Sequence, residues 1–129
     1  MEEIKKYQVM IVDDEPTMAK LFAAVFRTDP HYCITCVPGG EECLRKLKEG
    51  YRPDLILLDI MMPRMNGYEV CAAIKGDESL AKLRVYYFSA LHEAELKVKA
   101  EDTGADGYMQ KGIDLFATVR EIKGILTKA

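Results

Sequence analysis

Asp54-Leu55-Ile56-Leu57-Leu58-Asp59 is the stretch that decides the fold. Four branched aliphatic residues in a row, with no polar residue between them, have no solvent-facing side, so the segment reads as a strand buried on both faces of a sheet. It stops at a carboxylate. The same form recurs at Val9-Met10-Ile11-Val12, which stops at Asp13 and Asp14, and at Val85-Tyr86-Tyr87-Phe88, which stops at Ser89. A weaker run, Gly107 to Met109, ends close to Lys111, and Tyr32 to Val37 completes a set of five strands.

Helical patterns fill the gaps. Pro16 suits a first turn, and Met18, Leu21, Phe22, Val25 and Phe26 recur at the spacing of one helix face. Glu41 to Glu49, closed by Gly50, and Gly67 to Lys75 carry shorter apolar sets. Glu93 to Thr103 ends at Gly104 with a diffuse pattern, whereas Asp114 can cap a last helix striped by Leu115, Val119, Ile122 and Leu126. Strands alternating with helices predict a parallel sheet covered on both faces, because parallel neighbours need crossovers and helices supply them. The expected class is doubly wound α/β.

A chain of 129 residues with 49% apolar content fills one core, so a single domain over residues 6–127 is expected, after a short tail at residues 1–5. Eighteen basic against 21 acidic residues leave a net charge of −3, which argues against direct nucleic-acid binding. No apolar run reaches the roughly 20 residues of a membrane span, and the start lacks a secretory pattern, so no membrane association and a cytoplasmic location are expected. Cys33 and Cys36 form a lone CxxC. On a strand they point to opposite faces, and no second pair completes a metal site, so the four cysteines are read as structural or incidental thiols.

The chemistry collects at the strand ends. In open α/β sheets, ligands bind beyond the carboxyl ends of the strands. Asp13, Asp14 and Asp59 would then share one cleft, which is unfavourable unless a carboxyl protonates or a cation binds. Oxygen-only ligands favour Mg²⁺. One hydroxyl, Ser89, and one ammonium, Lys111, would complete a phosphate site.

Val-Asp-Asp-Glu-Pro at 12–16, Leu-Leu-Asp-Ile-Met-Met-Pro-Arg-Met-Asn-Gly at 57–67, Phe-Ser-Ala-Leu at 88–91 and Gly-Ala-Asp-Gly-Tyr-Met-Gln-Lys at 104–111 together resemble bacterial response-regulator receiver domains, of which the stand-alone chemotaxis type is one form. The resemblance implies a flavodoxin-like (βα)5 fold with strand order 2-1-3-4-5. It implies that Asp59 accepts a phosphoryl group, that Asp14 ligates Mg²⁺ directly while Asp13 helps partly through water, and that the Met61 backbone carbonyl is a further ligand. Lys111 would neutralise phosphoryl oxygens, and Ser89 and Tyr108 would act as the switch. The implied partners are a sensor histidine kinase or phosphotransfer protein upstream and an effector protein, or a C-terminal output domain, downstream.

Departures from the family pattern accompany the match. Gly112 stands where proline usually follows the lysine, Ser89 replaces the commoner threonine, and Arg84 lies where relatives often have proline. Glu121, rather than an arginine, lies ten positions after Lys111, which disfavours the DNA-binding subclass. A docking module that needs no phosphorylation is the first competing reading. An aspartyl-phosphate phosphatase is the second, but it would want an acidic residue where Met61 stands. Neither GxxxxGK[ST] nor GxGxxG occurs, so a nucleotide-binding enzyme is not expected.

Overall fold

The computed structural model describes residues 5–112 and 114–128. Five strands alternate with five helices: β1 Tyr7–Val12, α1 Pro16–Phe26, β2 Tyr32–Val37, α2 Gly40–Lys48, β3 Leu55–Leu58, α3 Gly67–Lys75, β4 Val85–Ser89, α4 Glu93–Thr103, β5 Gly107–Gln110 and α5 Leu115–Thr127. All neighbouring strands pair parallel, in the order β2-β1-β3-β4-β5. The doubly wound class and the strand order are those expected. Of the tail, only Lys5 lies within the described residues, where its ammonium sits 4.9 Å from the Tyr7 ring centroid.

The uninterrupted apolar runs are buried on both sides because alternate residues feed two cores. Met10, Val12, Ile56, Leu58 and Tyr87 pack under α2, α3 and α4, while Val9, Ile11, Leu55, Leu57, Phe88 and Met109 pack under α1 and α5. β3 sits mid-sheet and all four of its residues are fully buried. Burying one such side chain is worth about 1.5–3 kcal/mol, so the sheet centre dominates the stability.

Local chemistry sets the helix ends. Glu15 caps α1 by accepting from the Thr17 amide, and Asp114 caps α5 by accepting from Ala117. At α3, Asn66 and Glu69 form a reciprocal capping box. Gly104 closes α4 with φ of 80°, a left-handed conformation that favours glycine.

One expectation needs correction. Leu21 is 47% exposed, and the inward stripe of α1 is Ala19, Phe22 and Phe26. At about 100° per residue, positions 19, 22 and 26 fall on one narrow line and position 21 falls off it. The four cysteines are free thiols, Cys33 and Cys36 exposed on the edge strand β2 and Cys43 and Cys71 buried in the core.

Candidate functional site

The sheet itself carries the functional side chains together. Its hydrogen-bond ladder runs one residue past each strand: the Asp13 amide donates to Val37 O, the Asp59 amide to Val12 O, and the Lys111 amide to Ser89 O, at 2.7 to 3.1 Å. Residues 13, 59 and 111 are therefore placed by neighbouring strands rather than by free loops. Asp14 follows on the exposed rim.

One carboxylate oxygen from each of Asp13, Asp14 and Asp59 lies within 4.8 Å of the others. The Lys111 Nζ reaches into the cluster, 2.7 Å from Asp13 Oδ2 and 3.4 Å from Asp59 Oδ2. Backbone amides take the remaining inner oxygens, Glu15 N–H donating to Asp13 Oδ1 at 2.9 Å and Ile60 N–H to Asp59 Oδ1 at 2.8 Å. Burial pushes the Asp59 carboxyl above the usual range, and the Asp13 charge adds to this, while Lys111 opposes it. Burial works against the charge on Lys111, yet its hydrogen bond to Asp13 and the charge on Asp59 outweigh it and hold the ammonium above its usual range.

This donor set fits a hard divalent cation. It is made of oxygen alone, it converges, and one ammonium for three carboxylates leaves it under-neutralised. Met61 is 71% exposed beside it, and no backbone amide among the described residues donates to its carbonyl.

Ser89 ends β4, almost wholly buried, with its Oγ 3.4 Å from the donating amide of Leu91. Tyr108 is half-buried on the α4 side of β5, its hydroxyl 3.4 Å from Glu93 Oε1. The Lys111–Gly112 loop contains no cis peptide bond. Arg84 acts outside the site, its guanidinium donating to Ile125 O at 2.8 Å and so tying the start of β4 to the end of α5.

Two contributors had no legible signal beyond the motif that contains them. Gly67 opens α3 directly over the acidic loop; a Cβ there would stand 2.4 Å from Asp59 O and 2.8 Å from Ile60 Cα. Gln110 donates from its side-chain amide to Leu91 O at 3.0 Å. A hollow of about 710 Å³, lined by Arg84, Tyr86, Asp106 and Arg120 among others, opens at the opposite end of the strands and includes none of Asp13, Asp14 and Asp59. Smaller hollows flank Asp14, one toward Gly40, Arg64 and Met65 and one toward Lys20 and Cys36.

A five-stranded doubly wound sheet with an acidic cluster and a lysine at its carboxyl edge defines a class, and comparison with known proteins gives the family. The response regulator receiver domain profile matches residues 9–123, and the chain belongs to that family. It is a module of two-component signalling rather than a catalytic enzyme. It is 32% identical over 121 residues to the response regulator ArlR of Staphylococcus aureus, covering 94% of this chain and 53% of that protein. The chain spans about half the length of the curated relatives it matches. Among solved structures it is similar to the signal receiver domain of a signal transduction histidine kinase from Syntrophus aciditrophicus, at 30% identity and a TM-score of 0.79, with 94% of this chain and 90% of that one covered. It is also similar to the phosphorylated cyanobacterial phytochrome response regulator RcpA, at 25% identity and a TM-score of 0.79, with 96% of each chain covered. No helix among the described residues is long and apolar enough to cross a membrane.

Proposed function

We propose that this chain works in the cytoplasm and that Asp59 accepts a phosphoryl group from the phosphohistidine of a sensor kinase or phosphotransfer protein, with Mg²⁺ held by Asp13, Asp14, Asp59 and the Met61 carbonyl. The observation that carries this reading is the Lys111 ammonium lying between Asp13 and Asp59, 2.7 and 3.4 Å from their oxygens, in an acidic cluster that still lacks positive charge. Asp13 and Asp59 are both buried, sheet-anchored carboxylates beside Lys111, and Asp59 is the one whose Oδ2 the lysine holds less closely, 3.4 against 2.7 Å, which leaves that oxygen available as the nucleophile in phosphoryl transfer.

In the reaction, a carboxylate oxygen of Asp59 forms a bond to phosphorus as the phosphorus–nitrogen bond of the donor breaks, leaving an acyl phosphate and a neutral imidazole once that nitrogen has its proton. Mg²⁺, when bound, supplies positive charge to the phosphoryl oxygens. Lys111 adds a second positive charge by swinging from Asp13 toward those oxygens, and the Ile60 amide holds Asp59 in its orientation. Ser89, at the end of β4, can donate its hydroxyl to a phosphoryl oxygen, an attraction that exists only after transfer. Tyr108 and the α4-β5-α5 surface then carry the change to an effector or an output domain. The phosphorylated state of RcpA, a relative at 25% identity, supports the same role for this chain.

The test is intact mass after incubation with Mg²⁺ and acetyl phosphate. The wild-type chain is expected to gain one phosphoryl group and Asp59→Asn none. Equal labelling of both would reject Asp59, and no labelling of either would favour a docking module that works without phosphorylation.

A further inference from the structure

Gln110 takes no part in the phosphoryl transfer proposed above, yet it holds the segment that leads away from Ser89. Gln110 and Ser89 are register partners on β5 and β4, so their side chains leave the sheet on the same face. The Gln110 side-chain amide donates to Leu91 O at 3.0 Å, while the Leu91 amide donates to Ser89 Oγ at 3.4 Å. Residue 91 is thus gripped through both its carbonyl and its amide. Two positions back on the same face of β5, the Tyr108 hydroxyl lies 3.4 Å from Glu93 at the start of α4. α4 gives this end little else: its N-cap His92 makes no side-chain cap bond, and its buried residues, Leu96 and Ala100, come one and two turns later. At the far end the helix is pinned, with Thr103 Oγ1 2.7 Å from the hydroxyl of the buried Tyr87.

We propose that Gln110 is a positioning residue that latches the Ser89–Glu93 segment in the unphosphorylated conformation and so sets how readily the switch is thrown. When the Ser89 hydroxyl turns toward a phosphoryl oxygen, the Leu91 amide loses its acceptor and the segment is free to follow only if Gln110 also lets go. The side chain of Gln110 is exposed, so the bond competes with water and its contribution is that of a single surface hydrogen bond, enough to bias an equilibrium but not to forbid it. The inference rests on Asp59 being the phosphoacceptor.

Two measurements separate the latch from that reading. Hydrogen exchange on the metal-free chain tests the resting state: Gln110→Leu, close in shape but without a donor, should speed exchange at Leu91 and Leu96, whose amides donate to Ser89 Oγ and His92 O, and Gln110→Lys, which keeps an N–H donor, should restore protection. Titration with beryllofluoride in saturating Mg²⁺, a mimic of the phosphoryl group, tests the coupling: Gln110→Leu should bind it about two- to fivefold more tightly than wild type, with Mg²⁺ affinity alone unchanged. Unchanged exchange overturns the latch. Faster exchange with unchanged beryllofluoride affinity overturns its coupling to the switch. Wild-type chain that takes up no beryllofluoride, alongside faster exchange in Gln110→Leu, overturns the phosphoacceptor reading itself and leaves Gln110 a structural tether.

Discussion

Two half-buried lysines stand at opposite ends of the same sheet and do opposite things. At the amino edge, Lys75 spends its three N–H donors on Ala81 O, Leu83 O and Asp106 Oδ2, at 2.8 to 3.1 Å. Asp106 Oδ2 in turn accepts from the Val85 amide, so the Lys75 ammonium has three acceptors and faces a single carboxylate. At the carboxyl edge, Lys111 is just as shielded, with 19% of its side chain exposed against 18% for Lys75, but it faces an excess of carboxylate. The difference lies in stoichiometry rather than burial. A lysine matched to its acceptors is a rivet, and a lysine outnumbered by them marks a place where another cation is wanted.

The largest stability change should come from the rivet. Lys75→Met leaves two carbonyls without their donor and the Asp106 carboxylate without its counter-charge, and should lower the unfolding free energy by about 2 kcal/mol, to the same extent with and without Mg²⁺, in urea titrations. A loss that Mg²⁺ repaired would erase the contrast. Lys111→Met should cost about 1 kcal/mol in metal-free buffer, because the carboxylates lose their one cation, and millimolar Mg²⁺ should recover most of it. Thermal melts at several Mg²⁺ concentrations check this.

Asp59→Asn should go the other way and stabilise the metal-free chain near neutral pH, since it removes a buried charge from beside Asp13. The sign follows from linkage. The folded carboxyl binds its proton more tightly than the unfolded one, so ionised Asp59 costs stability above its folded pKa, and that cost vanishes as pH falls below the unfolded value of about 4. The advantage of the asparagine variant should therefore be full at neutral pH, shrink on acidification and shrink again when Mg²⁺ binds the wild type. Denaturant midpoints of both chains across that pH range measure it. The smallest effect belongs to a third pair, Lys123 and Asp29, 2.9 Å apart at the surface. Its hydrogen bonds from Lys123 and the His31 amide hold the Asp29 carboxyl below the usual range, so any contribution is present near neutral pH and lost in acid. Asp29→Asn should change stability within the error of the titration at any Mg²⁺ concentration.

Much of this contrast was legible before any coordinates. Four of the five strands were marked by apolar runs that stop at a polar residue, and the motifs around Asp13, Asp14, Asp59, Ser89 and Lys111 lie at those stops. Lys75 gave no signal. It closes an amphipathic helix where a basic residue is ordinary, and its partners lie 6, 8 and 31 residues away. Leu21 misled because spacing alone allows several neighbouring lines along a helix, and packing against the sheet selects one of them.

Burial periodicity and residue chemistry determined the alternation of elements, the class of fold and the candidate residues, because those depend on near neighbours in the chain and on which side chains can leave water. Tertiary structure alone decided that Lys111 leans toward Asp13 more closely than toward Asp59, that backbone amides of Glu15 and Ile60 hold the carboxylates, that Gly67 must lack a side chain, and that Gln110 grips Leu91. Those are matters of a few tenths of an ångström between residues up to 98 positions apart, set by how the strands register, and no local pattern in the chain encodes them.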